Sequence, residues 1–349
     1  MAYTTIDNPE LYFQTKLYTG NGGTQSITLD GSENMQPDWV WLKRRDSADN
    51  HNTFDSVRGA THRLITNLNN AQDTVTNMLT SFNSDGFSVG SHEGVNGSSM
   101  TYASWNWKAG TSFTNDASAT GVGSIDSAGS VNTDAGFSII SFTDGGSNAT
   151  IAHGLGVVPK VIIIKNRAAS EGWYSYWQPL GNDKQLRLNS TAASADAGSM
   201  WNDTTPTSSV FSLDTNTAGL SSGNYISYCF AEKKGYSKFG SYTGNGNADG
   251  TFVYTGFKPA FVLIKVTSTT NDWEIHDNKR GSSNVINAIL QPNLSDAEST
   301  SGREIDFLSN GFKLRNSGTQ NNLSGGTFIY MAFAESPFVN SNGVPNNAR

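Results

Sequence analysis

The sequence predicts an all-β protein made of three tandem antiparallel β-sandwich repeats, jelly-roll or lectin-like, of about 100 residues each. Three landmarks recur in the same order along the chain, and turn residues separate short apolar runs at roughly ten-residue intervals. Charged residues make up 15% of the chain, against roughly 25% in typical soluble domains. Ser, Thr, Asn and Gly must therefore supply most of the surface polarity.

The first landmark is a proline that is followed, after one residue, by four apolar residues and then a lysine. Four apolar residues without polar alternation predict a strand that is buried on both faces. Proline cannot donate to a neighbouring strand, so it belongs where the strand begins, and the lysine is expected to return its ammonium to water. The copies, 122 and then 100 residues apart, are Pro37–Lys43, Pro159–Lys165 and Pro259–Lys265.

The second landmark is a six-residue segment whose alternate positions are apolar, which predicts a strand with one face on a core. Its copies are 123 and then 103 residues apart, close to the spacing of the first landmark. A third, shorter landmark lies between the other two in every copy. The second landmark occupies Tyr102–Trp107, Tyr225–Phe230 and Phe328–Phe333, and the third occupies Gly86–Val89, Val210–Leu213 and Gly311–Leu314.

The landmarks divide the chain into three repeats with flanking and connecting segments. The stretch after the first repeat is rich in Gly, Ser, Ala and Thr, and we interpret it as a linker or extended arm. The predicted boundaries are 1–15 for an N-terminal anchor segment, 16–109 for repeat 1, 110–135 for the linker, 136–236 for repeat 2, 237–338 for repeat 3 and 339–349 for a polar C-terminal tail.

The N-terminal segment contains a helix-start pattern, Asn8-Pro9-Glu10, with a capping residue, a proline in the first turn and an acid beside the positive helix end. It predicts one short helix from Glu10 to about Gln14. The aromatic side chains of Tyr12 and Phe13 need an apolar partner. They are candidate assembly anchors on a neighbouring subunit, and the alternative is docking on their own repeat.

Two turn motifs recur in repeats 1 and 3. The Gly-Asn-Gly turns after Tyr18 and Tyr242 lack the Lys-Ser/Thr of a phosphate loop, so we interpret them as hairpin turns with positive φ angles. The pairs Asp55/Arg58 and Asp277/Arg280 predict local ion pairs that hold a turn rather than catalytic groups. Repeat 2 keeps only the glycine of that turn and has Trp177–Gly181 in its place.

No catalytic or metal-binding pattern stands out, so we predict neither an enzyme nor a cofactor. The histidines do not share a repeat position, no carboxylate pair recurs as in a glycosidase, and the calcium-loop motif is absent around Asp85, Asp214 and Asn310. His153 is interpreted as a turn histidine bonded to backbone, and the single Cys229 as a small buried hydrophobe. The histidines are His51, His62, His92, His153 and His276.

The charge and hydropathy exclude further classes of protein. A net charge of −7 without a basic stripe argues against nucleic-acid binding. No apolar run approaches the roughly 20 residues of a membrane span, and residues 1–6 lack the pattern of a signal peptide. We therefore expect a protein made in the cytoplasm that stays soluble.

The order of these motifs resembles a repeat domain of bacteriophage structural proteins, especially those of marine podophages and other tailed phages of cyanobacteria and ocean bacteria. The resemblance covers residues 16–338 and implies a virion component, a tail fibre or other structural protein, without catalytic residues to carry over. Repeat 2 departs from the pattern because it lacks the Asp-x-x-Arg-Gly turn. The motifs are Tyr18–Gly22, Pro37–Lys43, Phe54–Gly59, Ser84–Phe87, Tyr102–Ala109, Ile151–Lys160 and Tyr330–Phe338.

From this resemblance we expect a homotrimeric tail appendage that contacts other virion proteins and a host-surface glycan. Exposed aromatic residues of repeat 2 are the candidate receptor contacts, with core or inter-repeat packing as the alternative. A capsid decoration protein that clasps its neighbours with segments 1–15 and 110–135 is the second hypothesis, and a carbohydrate-active enzyme, disfavoured by the missing carboxylate pair, is the third. The candidate contacts are Trp173, Tyr174, Tyr176 and Trp177.

Overall fold

The computed structural model describes residues 2–214, 220–300 and 302–346, and these are 43% strand and 4% helix. All paired strands within its sheets are antiparallel, so the predicted all-β sandwich class is confirmed. None of the helices in the described part of the chain has the length and hydropathy needed to cross a bilayer.

Repeat 1 forms a six-stranded sheet, in the order β1-β9-β3-β4-β5-β6, and a three-stranded sheet, in the order β2-β8-β7. A 3-10 helix, Pro9–Leu11, precedes β1, and a four-residue helix, α1 (Glu93–Asn96), precedes β9. The strands are β1 (Phe13–Thr19), β2 (Gln25–Ile27), β3 (Trp39–Arg44), β4 (Asn52–Asp55), β5 (His62–Ile65), β6 (Asp73–Thr74), β7 (Leu79–Asn83), β8 (Gly86–Val89) and β9 (Thr101–Trp107).

Repeat 2 forms an eight-stranded sheet, in the order β10-β11-β12-β19-β14-β15-β16-β17, and the two-stranded sheet β13-β18. It also contains α2 (Ala117–Thr120) and the 3-10 helix Gln178–Leu180. The strands are β10 (Thr111–Asn115), β11 (Ser127–Asn132), β12 (Phe137–Asp144), β13 (Ala149–Ala152), β14 (Val161–Asn166), β15 (Tyr174–Trp177), β16 (Lys184–Arg187), β17 (Ala195–Asp196), β18 (Val210–Leu213) and β19 (Gly223–Phe230).

Repeat 3 forms a four-stranded sheet, in the order β20-β26-β22-β23, and a three-stranded sheet, in the order β21-β25-β24. The strands are β20 (Ser237–Thr243), β21 (Phe252–Tyr254), β22 (Phe257–Val266), β23 (Trp273–Asp277), β24 (Ile305–Leu308), β25 (Gly311–Leu314) and β26 (Thr327–Pro337).

The first landmark forms β3, β14 and most of β22, and each of these strands is buried on both faces, as predicted. In β3, Trp39 and Trp41 point into a core shared by all three repeats, whereas Val40 and Leu42 point into the sandwich core of repeat 1. The other two strands divide their side chains in the same way. In the described part of the chain, three sandwich cores are therefore arranged around one central core.

The second landmark forms the neighbouring strands β9, β19 and β26, and its alternating apolar face lies on the central core. Trp105, Tyr228 and Met331 are equivalent residues on that face. The opposite faces are also buried, for example at Tyr225 and Tyr330, because each large sheet carries a smaller sheet on its outer side. The prediction that one face of this strand lies on a core was therefore incomplete, because both faces do.

Backbone hydrogen bonds close the three repeats into a ring. The N–H of Gln72 in repeat 1 donates to the carbonyl of Arg167 in repeat 2 at 2.9 Å, and Ser194 in repeat 2 donates to Thr267 in repeat 3 at 2.9 Å. Glu298 in repeat 3 donates to Arg45 in repeat 1 at 2.8 Å. Each acceptor lies two residues after a landmark lysine, so the three junctions are equivalent around an approximate threefold axis.

A tryptophan indole also donates across two of the junctions. The indole of Trp173 donates to the carbonyl of Ile65 at 2.8 Å, and that of Trp273 donates to Arg187 at 3.1 Å. The third equivalent position, eight residues after a landmark lysine, is His51, a buried residue that accepts the indole N–H of Trp41 at 3.0 Å within repeat 1. Side chains from one repeat thus complete the polar contacts of the next.

The structure corrects the predicted boundary between repeats 1 and 2. Residues 110–135 are neither a linker nor an arm, because they form β10, α2 and β11 at the edge of the repeat 2 sheet. Close strand packing explains the small residues of this segment. At Gly129, for example, a β-carbon would lie 1.8 Å from the carbonyl oxygen of Ile139 on β12. Small residues in this segment permit close strand packing rather than flexibility.

The N-terminal segment also differs from the prediction. The helix is a single 3-10 turn capped by the Asn8 side chain, and it ends at Leu11 because β1 begins at Phe13. Segment 1–15 is therefore partly a strand of repeat 1. The C-terminal tail lies against the N-terminal segment, where the backbone N–H of Ser341 donates to Asp7 at 2.7 Å.

The Gly-Asn-Gly turns have the expected positive φ angles, 75° at Gly22 and 65° at Gly246, but they are not hairpins. They carry the chain from the large sheet to the small sheet of the sandwich, from β1 to β2 and from β20 to β21. Buried Asn96 and Asn322 hold them by donating to Asn21 and Asn245, each at 3.0 Å.

Candidate ligand-binding surfaces

The four aromatic residues predicted to contact a receptor are buried. Trp173, Tyr174, Tyr176 and Trp177 are at most 2% exposed, so the prediction that they form an exposed surface is wrong. They lie on or beside β15, which is covered by the central core on one face and the repeat 2 sandwich core on the other. The alternative interpretation, core and inter-repeat packing, is confirmed.

The two candidate assembly anchors dock on their own chain. Phe13 is 2% exposed and packs against Trp107, Phe261 and Phe333 with ring centroids 5.0 to 5.6 Å apart. Tyr12 is half-buried against Tyr236, with centroids 5.8 Å apart. Phe13 joins repeats 1 and 3 in the central core, so it is not available to a neighbouring subunit.

The Asp-x-x-Arg turns are buried ion pairs that also bridge repeats. Asp55 pairs with Arg58 and accepts the Tyr228 hydroxyl of repeat 2 at 2.7 Å. Asp277 pairs with Arg280 at 2.6 Å and accepts the indole N–H of Trp105 of repeat 1 at 3.0 Å. The predicted structural role is confirmed, and the structure adds that each pair belongs to a junction.

The departure of repeat 2 from this pattern is matched across its junction with repeat 3. Trp177 occupies the strand-end position of Asp55 and Asp277, opposite the first of the four apolar landmark residues. In repeat 3, Met331 occupies the position that Trp105 and Tyr228 hold in the other repeats. A hydrogen-bond donor is thus missing where the acceptor is missing, so this junction lacks the side-chain hydrogen bond that the other two have at this position.

The three landmark lysines are fully buried, which contradicts the expectation that they reach water. Each ammonium donates to the carbonyl of the following residue, at 2.5 Å for Lys43, 2.8 Å for Lys165 and 2.7 Å for Lys265. Lys165 and Lys265 also donate to a loop of the neighbouring repeat, at Asn69 and Thr191, both at 3.2 Å. Burial lowers the pKa of each lysine to about 8.

The other titratable candidates have structural surroundings. His153 is buried, accepts the backbone N–H of Leu155 and lies 3.1 Å from the carbonyl of Thr207, so it is a turn histidine as predicted. Cys229 is buried among apolar residues, and burial raises the pKa of its thiol to about 12. Within the described ranges, no group of three His, Cys, Asp or Glu side chains could hold a metal ion.

A cleft of about 490 Å³ lies in repeat 3, beside the loop that follows β23. From Asp277 to Gln291 this loop is four residues longer than the segments 55–65 and 177–187 of the other repeats. In the cleft wall, the Glu335 carboxylate accepts from Lys258 at 2.6 Å and from Asn278 at 2.7 Å. The charged side chains of Lys258 and Glu335 in the cleft wall are therefore paired with each other.

Two exposed aromatic side chains lie elsewhere on repeat 3. Phe252 and Tyr254 on β21 are 43% and 48% exposed, whereas Val253 between them is buried in the sandwich core. The alternation Thr251-Phe-Val-Tyr254 was a signal for them in the sequence, because residues two apart on a strand share a face. This pair was not among the residues predicted from the sequence, which were the aromatics of repeat 2.

A family model described as a domain of unknown function, DUF7483, matches residues 8–337. The chain belongs to this family. No curated protein and no solved structure matches the chain. The DUF7483 domain runs from the N-terminal 3-10 helix to the end of β26 and so includes all three repeats and the central core.

Most residues of the DUF7483 domain that sequence reasoning singled out are therefore buried and serve the fold. Its junctions use aromatic, lysine and Asp–Arg side chains to hold the ring together. On its outside, repeat 3 differs from the other two repeats in the longer loop that lines the cleft and in the exposed aromatic pair.

Proposed function

We propose that this chain is a non-enzymatic structural protein of a bacteriophage particle, made in the host cytoplasm and built into the virion as a subunit of a tail appendage of the tail-fibre type. It binds other virion proteins, self-associates as a homotrimer and contacts a glycan on the host surface. Nucleic-acid binding and membrane insertion form no part of the proposal.

The observation that carries this proposal is the closed ring of three similar repeats. Three equivalent backbone contacts and one continuous aromatic core join the repeats into a single body. Such a body presents three similar sides around one axis, which fits a threefold or pseudo-threefold position on a larger assembly. Its junction groups are buried, so the outer loops and sheets remain for contacts with partners.

The motif order supports the same proposal, since the resemblance to phage structural proteins rests on segments that form central strands of the large sheets. Pro37–Lys43 and Tyr102–Ala109 supply β3 and β9 of repeat 1, and Tyr330–Phe338 supplies most of β26 in repeat 3. These segments build the cores and the ring. The resemblance thus concerns the framework of the whole chain.

Copy number per particle tests the proposal. Purified particles are analysed by quantitative mass spectrometry against the major capsid protein, with the known tail proteins as internal standards. A tail appendage is expected in a few to a few tens of copies, in multiples of three. Antibodies to the chain should then label tails in electron micrographs, and absence of the chain from particles would refute the proposal.

A capsid decoration or cement protein is the second candidate, because an approximately threefold body also suits threefold positions of a capsid lattice. This candidate predicts hundreds of copies per particle and antibody labelling of heads. Segments 1–15 and 110–135 contain strands of the repeats, so they do not serve as the clasping arms that this candidate was expected to use. Contacts with the lattice would then come from the ring itself.

The homotrimer is tested separately. Sedimentation of the purified chain at several concentrations should give three times the mass of the 37.4 kDa monomer. A single species of monomer mass over the whole concentration range would refute self-association while leaving the virion role to the copy-number experiment.

A further inference from the structure

The outer face of the small sheet in repeat 3 carries large apolar side chains in water. Phe252 and Tyr254 point outward from β21, and the hydroxyl of Tyr254 lies 3.2 Å from the hydroxyl of Tyr3. Tyr3 in turn donates to the carbonyl of Gly256 at 2.9 Å. These three residues, here named the outer aromatic stripe, form a surface held in place at one end by hydrogen bonds.

The other repeats lack this feature at the equivalent positions. The central residue of the inner face, Val253, pairs with Phe312 as Ile27 pairs with Phe87 in repeat 1 and Ile151 with Phe211 in repeat 2. By this register, Ser26 and Thr28 in repeat 1, and Thr150 and Ala152 in repeat 2, occupy the positions of Phe252 and Tyr254. The fold therefore does not need aromatic residues there.

Gly311 forms the floor beside these rings. It lies opposite Tyr254 on β25, and a β-carbon at this position would be 3.0 Å from the Phe252 ring. The Phe252 ring therefore lies close to a strand position without a side chain. Residues two apart on a strand are about 6.6 Å apart, so the two rings can contact adjacent units of one extended ligand.

Charged groups of both signs flank the stripe. Across the same outer face, Phe252 lies opposite Lys313, which lies opposite Asp306. Lys313 pairs with Asp249 at 2.7 Å, and Asp306 pairs with Arg315 at 3.2 Å. A further ammonium, that of Lys234, lies 4.3 Å from the centre of the Tyr3 ring. Because Lys313 and Arg315 are each paired with a carboxylate beside the stripe, this surface suits a neutral ligand that both donates and accepts hydrogen bonds better than a polyanion.

The size of the stripe favours a small ligand over a protein. A large aromatic side chain has roughly 150–250 Å² of surface, so the exposed halves of Phe252 and Tyr254 offer about 200 Å² together, whereas a stable protein interface takes about 800 Å² from each partner. Sugar rings have apolar C–H faces that pack on aromatic rings and hydroxyls that bond to charged side chains. We propose that the outer aromatic stripe binds a neutral glycan.

This inference deepens the host-contact part of the proposed function and rests on it for its biological meaning. Phe252 and Tyr254 pack against the sugar faces. Lys313 and Asp306 donate to and accept from the hydroxyls. The Tyr3 hydroxyl orients Tyr254. No covalent step is involved.

The test compares the full chain with two double variants on an array of immobilised neutral hexose oligosaccharides, with sulfated and sialylated oligosaccharides beside them. Phe252→Ser/Tyr254→Thr installs the residues of repeat 1 and should keep the fold. Val157→Ser/Val158→Thr removes exposed apolar residues, 43% and 40% exposed, at a distant loop and is the matched control. We expect wild type and control to bind the neutral oligosaccharides alike, and the stripe variant to lose at least about tenfold in affinity.

Three results would overturn the inference: no retention of wild type on any neutral oligosaccharide, equal retention of the stripe variant, or binding confined to the acidic oligosaccharides. Concentration-dependent self-association that only the stripe variant abolishes would also overturn it, because the stripe would then be an interface between copies. The array uses purified protein, whereas the virion role is decided by copy number in particles, so the failure of one does not imply the failure of the other.

Discussion

The two buried Asp–Arg pairs provide a controlled comparison inside one chain. Asp55 and Asp277 are both fully buried, and each accepts from its arginine, from the backbone N–H of that arginine and from a side chain of the next repeat. Substitution of either by Asn leaves a buried guanidinium without its carboxylate. Breaking a buried pair in this way typically costs about 3–5 kcal/mol of stability.

The two arginines differ in their second partner. Arg280 keeps the Glu298 carboxylate at 3.3 Å, whereas Arg58 has the neutral Gln72 amide oxygen at 3.5 Å. A carboxylate at that distance interacts with a guanidinium by about 5 kcal/mol at an effective dielectric constant near 20. Glu298 also pairs with Arg45 at 2.8 Å, so part of this remains for Arg280. Asp277→Asn should therefore cost about 2 kcal/mol less than Asp55→Asn.

Urea denaturation followed by tryptophan fluorescence measures both free energies of unfolding, since the shared core makes one cooperative transition the expected behaviour. Two further variants exchange the second partners. Glu298→Gln in the Asp277→Asn background should raise the cost to that of Asp55→Asn, and Gln72→Glu in the Asp55→Asn background should recover about 2 kcal/mol. An Asp277→Asn variant that loses as much stability as Asp55→Asn, with no effect of the exchanges, would refute this reasoning.

Three further predictions concern pH, packing and thiol reactivity. The free energy of unfolding should rise between pH 8 and 10 by about 1–3 kcal/mol per landmark lysine. The three lysines have pKa values of about 8 in the folded state against 10.5 in the unfolded state, so the unfolded state binds more protons in this window. The free energy of unfolding should fall above pH 10, because burial raises the pKa values of Tyr228 and Tyr242 and keeps them protonated while the unfolded state loses protons. It should also fall as the pH drops below 6.5, because burial lowers the pKa values of His51 and His153 and keeps them neutral while the unfolded state gains protons. A flat profile from pH 5 to 11 contradicts this prediction. Gly129→Ala should lower stability by about 1–3 kcal/mol in thermal denaturation, whereas Gly145→Ala, with no atom within 4 Å of the added β-carbon, is the neutral control. Cys229 should not react with a thiol reagent at pH 8 until the chain is unfolded, and rapid labelling of the native protein would show that the strand is not buried.

The elements that could be predicted are those whose signal is local in the chain. The uninterrupted apolar run of Val161–Ile164 indicated a strand buried on both faces, and the alternation in Tyr225–Phe230 indicated which residues share a face. Recurrent spacing showed that such strands come in three sets. Local pattern also identified Asp55 and Arg58 as a turn-holding pair and His153 as a backbone-bonded turn residue.

The candidate site could not be predicted in the same way. Aromatic residues at Trp173–Trp177 are apolar whether they face a receptor or another repeat, and periodicity does not say what lies opposite a strand face. Small residues at 110–135 suit both a linker and closely packed edge strands, and only the approach of β11 to β12 at Gly129 distinguishes the two. Phe252 and Tyr254 were visible as an alternation, but their exposure depends on which side of β21 the core of repeat 3 occupies.

The sequence by itself determined the all-β class and the repeated strands, because these follow from the order of apolar and turn residues along a few consecutive positions. Tertiary structure alone decided that the repeats close into a ring, that the landmark lysines donate to carbonyl oxygens rather than to water, and that Trp177 lies in the central core. Those outcomes depend on contacts between residues about 100 or more positions apart, such as Asp55 with Tyr228. Such pairs are set by how the repeats pack, and the same packing leaves the outer face of repeat 3 open to solvent.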